Sequence, residues 1–79
     1  MKNQNLLDAL NRGRVSVHFT KANGEHREMI CSLHNDYIVD KTFSRNKACN
    51  EVAQSVWDIE KEAWRSFRWD RVEHWSVLN

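Results

Sequence analysis

The residues best suited to binding chemistry lie in one run near the C-terminus, Trp64–Val72, where aromatic rings are interspersed with arginines. A guanidinium can hold a phosphate through two parallel hydrogen bonds, and a flat ring gives a nucleic-acid base a surface on which to stack. The run therefore contains the two side-chain types that a nucleotide or single-stranded nucleic-acid site requires. The candidate phosphate ligands are Arg65, Arg68 and Arg71, and the candidate stacking rings are Trp64 and Trp69.

The same run can also be read as purely structural. In a strand, alternation places Arg65, Phe67 and Trp69 on one face and Trp64, Ser66 and Arg68 on the other. In this reading Phe67 and Trp69 fill the core, and for Phe67 we expect this position. Arg65 shares its face, so it is either a member of a buried ion pair, with Asp58 or Asp70 as partner, or part of the rim of a pocket.

Three further basic side chains flank the dipeptide Asn23-Gly24, and they could join the arginine run in one composite surface. They are Lys21, His26 and Arg27. Acidic residues stand close by, among them Glu25 and Glu28, and a mixed run of this kind is also typical of a solvated face. Both interpretations stay open from the sequence.

The segment 34–52 carries a second group of cations, Lys41, Arg45 and Lys47, with Tyr37 and Phe43 nearby. It is either a loop that orders on a partner or a loop that charge keeps soluble.

Metal binding and catalysis have little support in the chain. Cys31, His34 and Cys49 lack the paired spacing of a zinc knuckle, and Cys31 is expected to be a small buried side chain. With two glycines, the chain has no phosphate-cradling glycine loop, and no serine stands in a nucleophile elbow. We expect no metal, no cofactor and no enzymatic activity.

The elements that must position these residues begin with a short helix. Leu6, Leu7 and Leu10 recur at helical spacing, Asn5 can cap the start, and Gly13 is placed for a left-handed cap at the end. Val15, Val17 and Phe19 then alternate with polar residues, which predicts a strand with one buried face.

A β-hairpin follows, because Asn23-Gly24 favours a type I′ turn between antiparallel strands. Its second arm should place Met29, Cys31 and Leu33 inward. Further strands are predicted from Ala53 to Ile59, Ala63 to Trp69 and Arg71 to Leu78. The predicted division is an N-terminal helix over 1–13, a hairpin over 14–33, a long loop over 34–52 and three C-terminal strands over 53–79. A helix followed by five short strands favours a small, mainly β barrel, in which closure removes exposed edges.

Composition limits the classes of function. A chain of 79 residues has room for a single domain, and its four tryptophans can compensate for a small core. Its net charge of +1 provides no global attraction for nucleic acid or membrane, so any such attraction must be local. No apolar run is long enough to span a bilayer and no signal peptide is evident, so we expect a cytoplasmic protein with reduced thiols and no membrane partner.

Two separated stretches resemble a known family. The first is 17–27, followed by Met29, Ile30 and Leu33, and the second is 56–72, with an Arg-x-Phe-Arg-x-Asp-Arg-Val core at its end. Together they are similar to the WYL-type domain, and more closely to its small stand-alone phage version, an Sm-like or SH3-like β-barrel. The chain lacks the Trp-Tyr-Leu tripeptide of the larger family and a helix-turn-helix ahead of the barrel, so ligand sensing for a transcription factor is not implied.

The resemblance implies a nucleic-acid or nucleotide ligand held by basic residues of the barrel, and a phage origin, in which case the protein would act in the host cytoplasm. The sequence thus predicts a non-enzymatic binding module. An alternative is a phage accessory protein that binds and modulates a host protein through exposed tryptophan and arginine, the residues enriched at interface hot spots. Self-association through the last strand, which carries Trp75, Val77 and Leu78, is a third possibility.

Overall fold

A computed structural model describes residues 2–39 and 50–78. One helix, five strands and a short 3-10 helix follow each other along the chain: α1 (Gln4–Arg12), β1 (Val15–Thr20), β2 (His26–Ser32), β3 (Ala53–Asp58), β4 (Ala63–Arg68), the 3-10 helix (Trp69–Arg71) and β5 (Val72–Val77). The predicted fold class, mainly β with five strands and a short N-terminal helix, is confirmed. Most of the predicted loop, including its cations and Cys49, lies outside the described residues.

Helix α1 begins two residues earlier than a cap at Asn5 would place it, because Asn3 caps it. The Asn3 side chain accepts a hydrogen bond from the Leu6 N–H at 3.1 Å. The prediction that Asn5 caps the helix is therefore wrong, since Asn5 already lies in the first turn. Gly13 does end the helix, through a hydrogen bond from its N–H to Ala9 O, but its φ of 174° is extended rather than left-handed. The chain at Gly13 runs straight into β1.

The β1–β2 hairpin is present, with Val15 paired to Cys31 and Thr20 paired to His26. Its turn is not the predicted type I′. The Gly24 N–H donates to Lys21 O and the Lys21 N–H donates to Glu25 O, and Gly24, with a φ of 91°, is the only turn residue with a positive φ. This is a type I turn closed by a glycine bulge, in which asparagine needs no left-handed conformation.

The five strands form one antiparallel sheet in the order β4-β3-β2-β1-β5. The 3-10 helix carries the chain from β4 to β5, which pairs with β1 on the far side. The pairing between β2 and β3 is short, limited to Cys31 with Asp58 and Ser32 with Trp57. The first half of β2 therefore separates from β3 and leaves an opening between them.

The core lies on the inner face of this bent sheet. Val15, Val17, Met29 and Val56 are buried there, and Phe67 is 3% exposed, as alternation along β4 predicts. Leu33, predicted to point inward, is only partly buried and packs against the edge of this core.

Helix α1 covers one end of the barrel. The Ser32 hydroxyl hydrogen-bonds to Leu10 O and Gly13 O, and the Leu33 N–H donates to Leu10 O. These bonds hold the helix where β2 ends and β1 begins. The opposite end, at the hairpin turn, is left without a helical cover. None of the helices among the described residues is long and apolar enough to cross a membrane.

Candidate functional site

A pocket of about 330 Å³ opens at the end of the barrel that carries the hairpin turn. This volume lies at the lower end of the roughly 300–1,000 Å³ range of small-molecule sites. Phe19, Met29 and Phe67 contribute to its apolar lining, and one carboxylate, Asp58, contributes to its wall. We call it the basic pocket, because five cationic side chains line it: Lys21, Arg27, Arg65, Arg68 and Arg71.

Strand register explains why these side chains converge. Arg27 pairs with Phe19 across the hairpin, so both side chains lie on the inner face at the uncovered end. Arg65 precedes Phe67 by two residues on β4 and therefore shares its inward direction. The opening between β2 and β3 leaves room for these long side chains at the mouth of the barrel.

Arg65 lies at the rim of the pocket and also faces a carboxylate. Its Nε is 3.9 Å from Asp58 Oδ2, and its side chain is 47% exposed whereas that of Asp58 is 4% exposed. The sequence left a buried ion pair and a pocket rim as alternatives for Arg65. In the structure the arginine combines a long ion-pair contact with an exposed position at the pocket.

Two of the pocket cations have acidic partners outside the pocket. Arg68 donates from Nε and one terminal nitrogen to the two Asp70 oxygens, both at 3.1 Å, and Lys21 Nζ lies 3.5 Å from Glu25. A hydrogen bond from the Asn23 side chain, with the Lys21 charge second, lowers the pKa of Glu25. These two cations are therefore partly neutralised.

Arg27 and Arg71 differ from them. Across 2–39 and 50–78, neither guanidinium forms an ion pair or a side-chain hydrogen bond. An incoming anion could therefore bind both without displacing an acidic side chain.

Three predicted site residues lie outside the pocket. The Trp69 ring is 5% exposed, packs edge-on against Phe67 with centroids 5.2 Å apart, and donates its Nε1–H to Asn50 O at 2.8 Å. Burial makes Trp69 a core residue that is unavailable for stacking on a base. The sequence predicts Trp69 at the end of the fourth strand, and this is wrong, because the residue belongs to the 3-10 helix.

Trp64 and His26 also lie outside the pocket. Trp64 packs edge-on against Trp57, with ring centroids 5.5 Å apart, and neither ring lines the pocket. His26 is 77% exposed at its side chain, and its Nδ1 lies 2.6 Å from a Glu73 oxygen. The pocket thus joins the arginines of the C-terminal run to Lys21 and Arg27 of the hairpin, and among the described residues no tryptophan lines it.

Sequence reasoning missed the remaining pocket wall. The sequence identified Asp58 only as a possible ion-pair partner and Phe19 only as an apolar strand residue. Alternation along β3 places Asp58 on the same face as Val56, which is fully buried. That alternation was the signal for an inward carboxylate.

Comparison with known proteins identifies a family. The model of a family described as WYL_2, Sm-like SH3 beta-barrel fold, matches residues 3–72, a range that contains all five pocket cations. No curated protein and no solved structure matches the chain.

Proposed function

This chain belongs to the WYL_2 family of Sm-like SH3 β-barrels, and we propose that it is a non-enzymatic module that binds the phosphate of a nucleotide or a nucleic acid in the basic pocket. The observation that carries the proposal is the convergence of five cationic side chains on one pocket of a protein whose net charge is only +1. Arg27 and Arg71, which form no ion pair and no side-chain hydrogen bond in the described parts of the chain, are the primary phosphate ligands.

The chemistry of guanidinium groups supports this assignment. Arginine presents its donors in a planar fork that matches two oxygens of a phosphate, and such charge-assisted hydrogen bonds are stronger than neutral ones. Since the overall charge is close to zero, long-range attraction is weak and affinity depends on the local contacts. Binding should therefore depend on the pocket arginines individually.

The apolar lining supports a nucleotide rather than a free inorganic anion. Phe19 is partly exposed beside the cations, and its ring lies 6.4 Å from that of Phe67. An exposed ring of this kind can take the face of a base, which contributes about 1–3 kcal/mol per base in single-stranded complexes. The tryptophans do not serve this purpose in the pocket, so Phe19 replaces them as the proposed stacking ring.

The size of the pocket favours one nucleotide unit at a time. A mononucleotide, or one splayed residue of a single strand, fits the scale of the cavity, whereas a base-paired duplex could contact only its rim. We therefore propose a preference for free nucleotides or single strands over duplex.

Fluorescence anisotropy tests the proposal with a labelled single-stranded oligonucleotide and the matching duplex, each at about 50 mM and 200 mM salt. We expect the single strand to bind more tightly than the duplex at low salt, with weaker binding at the higher salt concentration. Unlabelled mononucleotide should compete for the site. Absence of affinity for every nucleotide and oligonucleotide at low salt would overturn the proposal.

A further inference from the structure

A buried carboxylate stands in the wall of a pocket that is otherwise cationic. The Asp58 side chain is 4% exposed and lines the pocket together with the five basic side chains. A site built for phosphate alone gains nothing from a negative charge, because the carboxylate repels the ligand. Burying a carboxylate also costs free energy unless hydrogen bonds or charges compensate it. Asp58 therefore indicates a requirement beyond phosphate.

The two oxygens of Asp58 differ in their partners. Oδ1 accepts a hydrogen bond from the Lys61 N–H at 3.0 Å, at the turn that follows β3. Oδ2 has the Arg65 Nε as its cationic neighbour at 3.9 Å, which is too long for a hydrogen bond. Across the described parts of the chain, Oδ2 accepts no hydrogen bond. An acceptor site is therefore open at the pocket wall.

The acceptor is more deeply buried than the cations around it. Asp58 pairs with Cys31 on β2, and burial, with the charge of Asp58 as a second cause, raises the pKa of the Cys31 thiol to about 12. Arg65 and Arg68, in contrast, are 47% and 54% exposed at their side chains. A matching ligand has an anionic end at the exposed rim and a hydrogen-bond donor at its inner end.

We propose that Asp58 reads the base of the bound nucleotide by accepting a hydrogen bond from an exocyclic amino group. This inference rests on the proposed function. An ionised carboxylate can only accept hydrogen bonds, so it favours bases with an amino donor and opposes bases that present carbonyl oxygens in the same place. Guanine is the preferred base, because its ring N–H and its amino group are adjacent donors that can both be directed at Oδ2. Uracil lacks an amino group.

Isothermal titration calorimetry with GMP, IMP, UMP and pyrophosphate tests this selectivity. GMP and IMP differ only in the amino group of the base. Because loss of a donor leaves a buried acceptor unpaired, we expect GMP to bind about tenfold more tightly than IMP, and UMP to bind no better than IMP. In D58N the neutral side chain also carries a competing amide donor, so the GMP-to-IMP ratio should fall to within about twofold.

Asp70→Asn provides the matched control, because Asp70 bonds Arg68 at the rim and faces no base in the proposal. This variant should change the affinity for GMP and IMP alike and keep their ratio. Equal affinity of the wild-type protein for GMP, IMP and UMP would overturn the base-reading role while leaving phosphate binding intact, as would an unchanged ratio in folded D58N. If D58N does not fold, the wild-type ratio decides alone. Absence of binding to all four ligands and to oligonucleotides would instead overturn the proposed function.

Discussion

Replacing Arg71 or Arg27 by glutamine removes a guanidinium that forms no ion pair and no side-chain hydrogen bond in the described parts of the chain. Because the guanidinium stabilises no ion pair or side-chain hydrogen bond in the free protein, its loss should have little effect on folding. In the complex it donates charge-assisted hydrogen bonds to phosphate. A hydrogen bond to a charged group contributes about 1.5–3 kcal/mol, and about 1.4 kcal/mol corresponds to a tenfold change in affinity. Each substitution should therefore weaken nucleotide binding about 10- to 100-fold.

Arg68→Gln should cost less, although Arg68 lines the same pocket. Its guanidinium already donates two hydrogen bonds to Asp70, both at 3.1 Å, and phosphate must compete with that carboxylate. An exposed pair of this kind is worth about 0–1 kcal/mol, so the net contribution of Arg68 to binding is reduced by a similar amount. We expect binding to weaken less than about tenfold.

Arg12→Gln is the matched control, because Arg12 is exposed in the last turn of α1, at the helix-covered end of the barrel. Anisotropy titrations at one salt concentration would rank the variants, with urea unfolding to verify that each is folded. The expected order of loss is Arg71 and Arg27 first, then Arg68, with Arg12 close to wild type. Equal losses for all four variants would mean that only net charge matters, and a larger loss for Arg68 than for Arg71 would refute the reasoning from ion pairs.

Three further predictions concern the fold. Asn3→Ala should lower the free energy of unfolding in urea by about 1 kcal/mol because it removes the helix cap, whereas Asn5→Ala should leave it nearly unchanged; equal effects would contradict the cap assignment. With its pKa raised to about 12, Cys31 should resist iodoacetamide at pH 8 in the native protein and react in urea, as mass spectrometry of its peptide would detect; native labelling would contradict burial. A hydrogen bond from Thr20 lowers the pKa of Glu73 below its ordinary value of 4.5. The ionised Glu73 therefore stabilises the folded state at pH values above 4.5, and this stabilisation is lost as the pH falls through the lowered pKa. Thr20→Val should raise the pKa of Glu73 in an NMR titration and reduce that acid sensitivity, and an unchanged pKa would count against the hydrogen bond.

Local signals in the sequence predicted most of the fold. Alternation in β1 and β2 and the glycine of the turn are properties of adjacent residues, and so is the inward position of Phe67. Details that depend on a choice between neighbouring residues were predicted less well. Asn3 and Asn5 can both cap a helix, since both are asparagines ahead of the leucines. Where the helix starts decides which of them is the cap, and the leucine spacing alone does not fix that residue. Gly24 fits two hairpin turns, and the register of β1 against β2 selects between them.

The sequence predicted which cations belong to the candidate site, but it did not predict the pocket that they line. Arg65, Arg68 and Arg71 are close in sequence, so their proximity was visible in the chain. Their meeting with Arg27 depends on β4 lying across the barrel from the hairpin, a long-range arrangement that periodicity does not encode. The Trp69 side chain is buried beside Phe67, on the face where alternation places it, although the residue itself belongs to the 3-10 helix and not to β4.

The most direct test of the central claim is to locate a bound nucleotide by ¹H–¹⁵N NMR, with GMP titrated into the labelled protein. We predict that the largest amide chemical-shift changes lie at the pocket, around Lys21, Arg27 and Ser66, and that the amide shifts of α1 change little. Saturable shifts confined to other surfaces, such as the paired rings of Trp57 and Trp64, would contradict it.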